Sequence, residues 1–327
     1  MNTSVCTILG QRLTAPASIL HLSRFSPSLF LCPLLCGCCL LWSGFTTAAE
    51  TTRLRISADI APIHSLVSLV VGDRMSVELI VPSNQSPHDF ALKPSQVRSI
   101  NQSDLIVFVS EGFTPSLSRY LKTLNRGSAL LNLADTLTSE TQDEQTEDEH
   151  AADSHDHHPN DEHTWLDPRN AIVWLAHIAD VVATLDESNR AEYQQNSTKA
   201  IAEIRATHLN LIDKLANVSD VPYIVYHDAY QHFAHSFNLA DPLAIALSDA
   251  RAPGAAKIKQ IRTAAVTSKC VFAEVQHDDA MVDTVSSGLS VKRGTLDPLG
   301  SEISIGPGLY SALMQNLAQS FIDCLSE

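Results

Sequence analysis

Residues 54–81 read LRISADIAPIHSLVSLVVGDRMSVELIV, and the reading of this stretch decides the fold. Leu54–Ile60 is a short apolar run with the character of a strand. Pro62–Val71 carries its apolar residues at helical spacing, and Val77–Val81 returns to a strand. A strand, a helix and a second strand in direct succession build a parallel sheet covered by helices. Working outward, the alternation continues. Pro94–Ile100 is predicted as helix, Leu105–Val109 as strand, Ser116–Leu124 as helix and Ala129–Leu133 as strand.

The same order returns in the last third of the chain. Tyr223–Tyr226 reads as a strand, Tyr230–Phe237 as helix, Leu243–Ala246 as strand and Ala255–Ala265 as helix. Cys270–Val275 (strand), Ala280–Gly288 (helix), Val291–Leu296 (strand) and Tyr310–Leu325 (helix) follow. The expected fold class is therefore α/β: two (β/α)4-type lobes with mostly parallel sheets. The duplication is one of pattern, with no residue-level repeat. Between the halves, Asn170–Leu185 shows helical periodicity, and Asn189–Asn217 contains neither Gly nor Pro. A continuous helix there would be a stiff connector of roughly 40 Å; two shorter helices are the other reading. The resulting division is a leader over 1–49, an N-terminal lobe over 50–187, a linker helix over 188–217 and a C-terminal lobe over 218–327.

The first 49 residues read as a cleavable signal peptide. Arg12 and Arg24 are their only charges, the apolar run Leu29–Trp42 follows, and Thr47-Ala48-Ala49 offers a small-residue cleavage site. A membrane anchor would need about 20 apolar residues, and this shorter run contains Pro33 and Gly37. Lipidation at Cys38 or Cys39 is a variant, although the residues before them make a poor acylation signal. Five of the seven cysteines lie in this segment. The pair that remains, Cys270 and Cys324, reads as one disulfide in an exported protein; a two-thiolate metal site would need further soft ligands.

The chain has 327 residues, of which 44% are hydrophobic, enough for two ordinary cores. With 22 Lys and Arg against 37 Asp and Glu, its formal charge is −15. Nucleic acid is excluded as a partner, because phosphate binding needs a basic surface; a cationic ligand suits this field. The acid is concentrated. Ser139–Glu162 holds ten acidic residues, His150, His155, His157 and His158, and no Lys or Arg. It lacks the apolar residues to pack, so it reads as a mobile loop, and its histidines as secondary, low-affinity metal ligands.

Four polar residues interrupt the chain where strands end or helices begin. His88 stands in Ser86-Pro87-His88-Asp89-Phe90 and His163 in His163-Thr164-Trp165-Leu166-Asp167-Pro168. His227 stands in Tyr226-His227-Asp228-Ala229-Tyr230, and Asp297 in Gly294-Thr295-Leu296-Asp297-Pro298-Leu299-Gly300. Open parallel sheets bind ligands outside the carboxyl ends of their strands. Three imidazoles and a carboxylate suit Zn²⁺ better than oxygen-seeking Mn²⁺ or Mg²⁺. His64, His177, His208, His232, His235 and His277 lack that placement and read as structural or exposed.

These motifs, with Pro62-Ile63-His64-Ser65-Leu66, Pro253-Gly254 and Cys270-Val271-Phe272-Ala273-Glu274, resemble the zinc-uptake branch of the metal-specific ABC-transporter substrate-binding proteins (the cluster A-I type). They run in family order over nearly the whole exported chain. The resemblance implies two lobes joined by a rigid helix with the metal at their interface. It implies His88, His163 and His227 as zinc ligands, with Asp297 or water completing the shell. Manganese-type relatives place a glutamate where His227 stands. The acidic, His-rich loop and the cysteine pair are features of the zinc branch too. The implied protein is a monomeric periplasmic carrier, not an enzyme, that delivers Zn²⁺ to an ABC permease and its ATPase. A zinc hydrolase would need a general base beside the metal, and no H-E-x-x-H is present; a surface metal-binding adhesin is the other competing reading. Because imidazole ligands bind metal only when deprotonated, zinc affinity is expected to fall below about pH 6.

Overall fold

The computed structural model describes residues 53–124, 129–140, 161–246 and 253–326. The leader over 1–49 and the loop histidines His150, His155, His157 and His158 lie outside the described residues. Among the described residues no helix is long and apolar enough to cross a membrane.

The opening stretch folds as its pattern predicts. β1 (Arg55–Ala58), α1 (Ala61–Val71) and β2 (Ser76–Leu79) form the first unit, followed by α2 (Pro94–Gln102), β3 (Leu105–Phe108), α3 (Pro115–Leu121) and β4 (Ala129–Asn132). The four strands make one parallel sheet in the order β2-β1-β3-β4. β3 is buried along its whole length, as an apolar strand covered on both faces should be. Pro62 is the second residue of α1, in the first turn, where a missing N–H costs no intrahelical bond.

An unpredicted helix, α4 (Leu133–Glu140), follows β4 directly. Asn132 Oδ1 accepts from the Ala134 amide at its start, and the Trp174 indole N–H donates to Leu133 O. The helix therefore occupies the first two residues of the segment expected to be a loop.

β5 (Tyr223–His227), α7 (Gln231–Ser236), β6 (Leu243–Ala246), α8 (Ala255–Ala265), β7 (Cys270–Glu274), α9 (Ala280–Ser286), β8 (Lys292–Leu296) and α10 (Leu309–Leu325) form the second half. Its sheet runs β6-β5-β7-β8, again all parallel. The two sheets share one strand order, so the duplication read from the sequence is a duplication of topology. In each sheet the first strand has neighbours on both sides that are reached by crossovers in opposite directions. The crevice beyond the ends of β5 and β7 is such a switch point. Where β8 passes Phe272, a Cβ on Gly294 would lie 2.6 Å from the ring, so only glycine fits. The Cys270–Cys324 disulfide ties the start of β7 to α10.

Between the sheets, α5 (Pro168–Leu185) is followed by α6 (Arg190–Leu215), a single helix of 26 residues, about 39 Å long. Its buried stripe, Tyr193, Ser197, Ala200, Ile204, Leu211 and Leu215, keeps helical spacing from end to end. Near its start, Asn196 Nδ2 donates to Val70 O on α1, and Arg74 pairs with Glu192. Farther along, His208 Nε2 lies 3.0 Å from Ser236 O on α7. One helix thus packs on elements of both sheets. A single apolar core runs through the molecule, from Ile56 of β1 to Phe321 of α10, with a smaller cluster behind the second sheet. Polar ties cross the same boundary. Ser65 Oγ of α1 donates to Pro307 O and accepts from the Tyr310 amide. The Trp165 indole N–H donates to Pro298 O, and the Tyr310 hydroxyl to Trp165 O.

Candidate metal centre

Three segments far apart in sequence bring their imidazoles together. His88 sits on the loop after β2, with its amide donating to Ser86 Oγ. His163 opens the short 3₁₀ turn Thr164–Leu166, and His227 ends β5 at the switch point. His163 Nε2 lies 3.3 Å from His88 Nε2 and 3.2 Å from His227 Nε2. A tetrahedral zinc with Zn–N of 2.0–2.1 Å places neighbouring donor atoms roughly 3.3–3.4 Å apart. The two separations from His163 match that edge length closely, and all three imidazoles offer donor atoms within 4.8 Å of one another. His163 and His227 are buried and His88 is half-buried. The ring of Phe113 meets His88 and His163 edge-on and walls the site on its apolar side.

The far sides of two of these rings explain why Nε2 is the atom turned toward the other imidazoles. His163 Nδ1 lies 2.8 Å from Asp161 Oδ1, which also accepts the His163 amide. His227 Nδ1 lies 2.7 Å from both oxygens of Glu274, the last residue of β7. A carboxylate facing Nδ1 keeps the proton there and leaves the Nε2 lone pair for a metal. Two lone pairs held 3.2 Å apart repel each other until a cation sits between them. Burial alone would raise the Asp161 carboxyl. The hydrogen bonds from the ring and the amide of His163 outweigh burial and hold it below the usual carboxylate range. The three rings, with Glu274, Gln276, His277, Pro298 and Leu299 among the other lining residues, surround a cavity of ≈ 10 Å³, space for one atom-sized guest.

Asp297 is not brought into this group. Its Oδ1 accepts from Gln276 Nε2 (2.9 Å), Leu299 N (3.2 Å) and Gly300 N (3.0 Å), while Oδ2 accepts from the amide and hydroxyl of Ser301. The carboxylate predicted as a ligand is instead engaged by the turn that follows it. The carboxylates nearest the imidazoles, Asp161 and Glu274, were missed as site residues, the first inside the acidic segment and the second at the end of an apolar strand.

Two histidines read as structural or exposed lie against the site. His232 Nε2 is 3.1 Å from Asp161 O. His277 stacks on Tyr226 at 4.4 Å, and its Nε2 lies 3.9 Å from Glu274 Oε2. His227, Glu274 and His277 form a second group within metal-holding distance, on the Nδ1 side of the His227 ring. His64 is structural as expected: buried, with Nε2 3.1 Å from Val77 O. Asp161 and Glu162 belong to the segment read as a loop, yet both are anchored. Glu162 accepts from Ser110 Oγ and lies so close to Gly112 that a side chain there would collide with it.

A family model described as "Zinc-uptake complex component A periplasmic" (ZnuA) matches residues 56–324. The chain belongs to the ZnuA family. Among ZnuA relatives, the high-affinity zinc uptake system protein ZnuA of Paracoccus denitrificans is 34% identical over 315 residues, covering 87% of this chain and 97% of the relative. The protein of the same name from Brucella suis is 36% identical over 335 residues, covering 92% and 98%. In fold, the chain is similar to a crystal structure of ZnuA, with a TM-score of 0.69 over 84% of this chain and 99% of that one, at 24% identity. ZnuA family members are periplasmic transport components, and neither the hydrolase nor the adhesin reading fits that membership.

Proposed function

We propose that this chain is the periplasmic zinc-capturing component of an ABC-type importer, and that it holds one Zn²⁺ on Nε2 of His88, His163 and His227. The observation that carries the ligand set is the spacing of those nitrogens, 3.2 and 3.3 Å, at the edge of a tetrahedral zinc shell. Glu274 and Asp161 fix the rings from behind, and water supplies the fourth position. The chemistry is capture and release: both nearby carboxylates face Nδ1, away from the side where a metal-bound water would need a general base.

The carrier is exported by a leader that is cleaved near residue 49 and acts as a monomer. It hands its zinc to a permease driven by an ATPase. His150, His155, His157 and His158 gather zinc weakly and pass it to the buried site. The shared apolar core and the single helix α6 support a stiff molecule, in which zinc moves by local opening rather than by wide separation of the two halves. Native mass spectrometry with metal competition tests this reading. The exported protein lacking residues 141–160 should retain one Zn²⁺ against Mn²⁺ and Mg²⁺ in excess, and His88→Ala in that background should lose it. Retention of zinc by His88→Ala, or preference for Mn²⁺, would refute the ligand set.

A further inference from the structure

One polar side chain in the cavity wall has no part in the ligand set. Gln276 lies two residues beyond β7 and lines the cavity together with His88, His163 and His227. Its Nε2 donates to Asp297 Oδ1 at 2.9 Å and to Ser83 O at 3.1 Å. An amide nitrogen carries two hydrogens, so both are used, and the two acceptors fix which end of the amide is oxygen. Gln276 Oε1 is buried and has no hydrogen-bond partner among the described residues. An unmet buried acceptor is costly, and such atoms are nearly always paired. The cavity has space for one atom-sized guest, and a tetrahedral zinc on three protein ligands takes a water in its fourth position.

We propose that Gln276 Oε1 accepts a hydrogen bond from the water that completes the zinc shell, and thereby selects water over anions as the fourth ligand. The inference rests on the zinc assignment above and deepens it. A water bound to Zn²⁺ is a strong donor, because the ion draws electron density from its O–H bonds. An amide oxygen suits that donor. Chloride also binds zinc and is a single atom not much larger than water, but it has no hydrogen to give. In the fourth position it would set a negative ion against the negative end of the amide dipole. Turning the amide over to offer N–H instead would break both bonds from Nε2, to Asp297 and to Ser83. This gives Asp297 a role at the site without a bond to the metal.

Co²⁺ bound in place of zinc makes the fourth ligand visible. In H₂¹⁷O the electron paramagnetic resonance signal of the Co²⁺-loaded wild type should broaden, showing a bound water. Chloride titrated into the loaded protein is then followed by the visible bands. Gln276→Met keeps the volume and removes the acceptor, and it should bind chloride about 10–100-fold more tightly than the wild type, the usual worth of a hydrogen bond to a charged group. Gln276→Glu loses the same two donors but keeps an acceptor oxygen, and should stay closed to chloride. Equal chloride affinity in wild type and Gln276→Met would overturn the proposal. So would chloride binding as tight in Gln276→Glu as in Gln276→Met, because the broken ties to Asp297 and Ser83 would then be the cause. A wild-type signal that H₂¹⁷O does not broaden would overturn it too, because the fourth ligand would not be water. If Gln276→Met does not fold, Gln276→Leu, equally without an acceptor, is judged by the same criteria. Wild-type protein that takes up neither Zn²⁺ nor Co²⁺ would instead overturn the assignment on which the proposal rests.

Discussion

Glu274→Gln separates zinc binding from folding. Both Glu274 oxygens stand 2.7 Å from His227 Nδ1, and Oε1 also faces the His227 amide at 3.3 Å. In the zinc-free protein this buried carboxylate faces a neutral ring, so its burial is poorly compensated. When Nε2 takes up zinc, the ring becomes strongly polarised and the carboxylate gains a favourable partner. A glutamine of the same shape keeps the packing and one acceptor but loses that gain. Changes of this kind cost about 10–100-fold in metal affinity, or roughly 1.4–2.7 kcal/mol. Stabilisation by a ligand scales with the logarithm of its affinity. With about 2.1 cal/mol/K of unfolding entropy per residue, the zinc-induced rise in melting temperature should shrink by roughly 2–5 °C. The zinc-free melting temperature should stay level or rise. Calorimetry with and without zinc, beside a competition titration, reads both quantities. Wild-type affinity in Glu274→Gln would refute the reasoning. A loss of zinc-free stability equal to the loss of affinity would refute it too, because Glu274 would then be a packing residue alone.

Two further outcomes follow from groups away from the imidazoles. The Cys270–Cys324 disulfide closes a loop with a sequence separation of 54, so the chain-entropy estimate gives it about 4 kcal/mol. Cys270→Ser/Cys324→Ser should lower the urea midpoint accordingly while leaving zinc stoichiometry at one. Burial pushes the Asp59 carboxyl up to about 7, against the pull of the Val109 and Ile60 amides. Its protonated form therefore favours the fold fully below the unfolded value near ~3.9, and that contribution is lost as pH rises through about 7. Denaturation of the zinc-free protein between about pH 4 and 7 should show stability falling with pH from this residue, and Asp59→Asn should flatten that part of the slope.

The sheet was legible because its strands are apolar runs separated by helical repeats, and every strand predicted from them is present. The length of α6 was not. Its polar face is long, and only packing on α1, α5 and α10 selects one helix over two. α4 was hidden by its neighbour: Leu133 reads as the end of a strand, and the acidic run begins a few residues later. The three imidazoles were legible because His227 ends an apolar strand, His88 stands in the loop after another and His163 stands just before a helix, the positions where a parallel sheet gathers its ligands. The carboxylates were harder. Glu274 closes the run Cys-Val-Phe-Ala-Glu, and an acid ending a buried strand is the signal that could have found it. Asp297 misled because its position at the end of β8 is right for a ligand. Leu299, Gly300 and Ser301, however, supply the amides that an aspartate at the start of a turn captures for itself.

X-ray absorption at the zinc edge of the loaded protein measures directly whether three imidazole nitrogens meet at one ion. It should show a four-coordinate zinc with three imidazole nitrogens at about 2.0–2.1 Å, and His227→Ala should reduce the imidazole count. A six-coordinate oxygen shell, or a spectrum with a single imidazole, would contradict the ligand set.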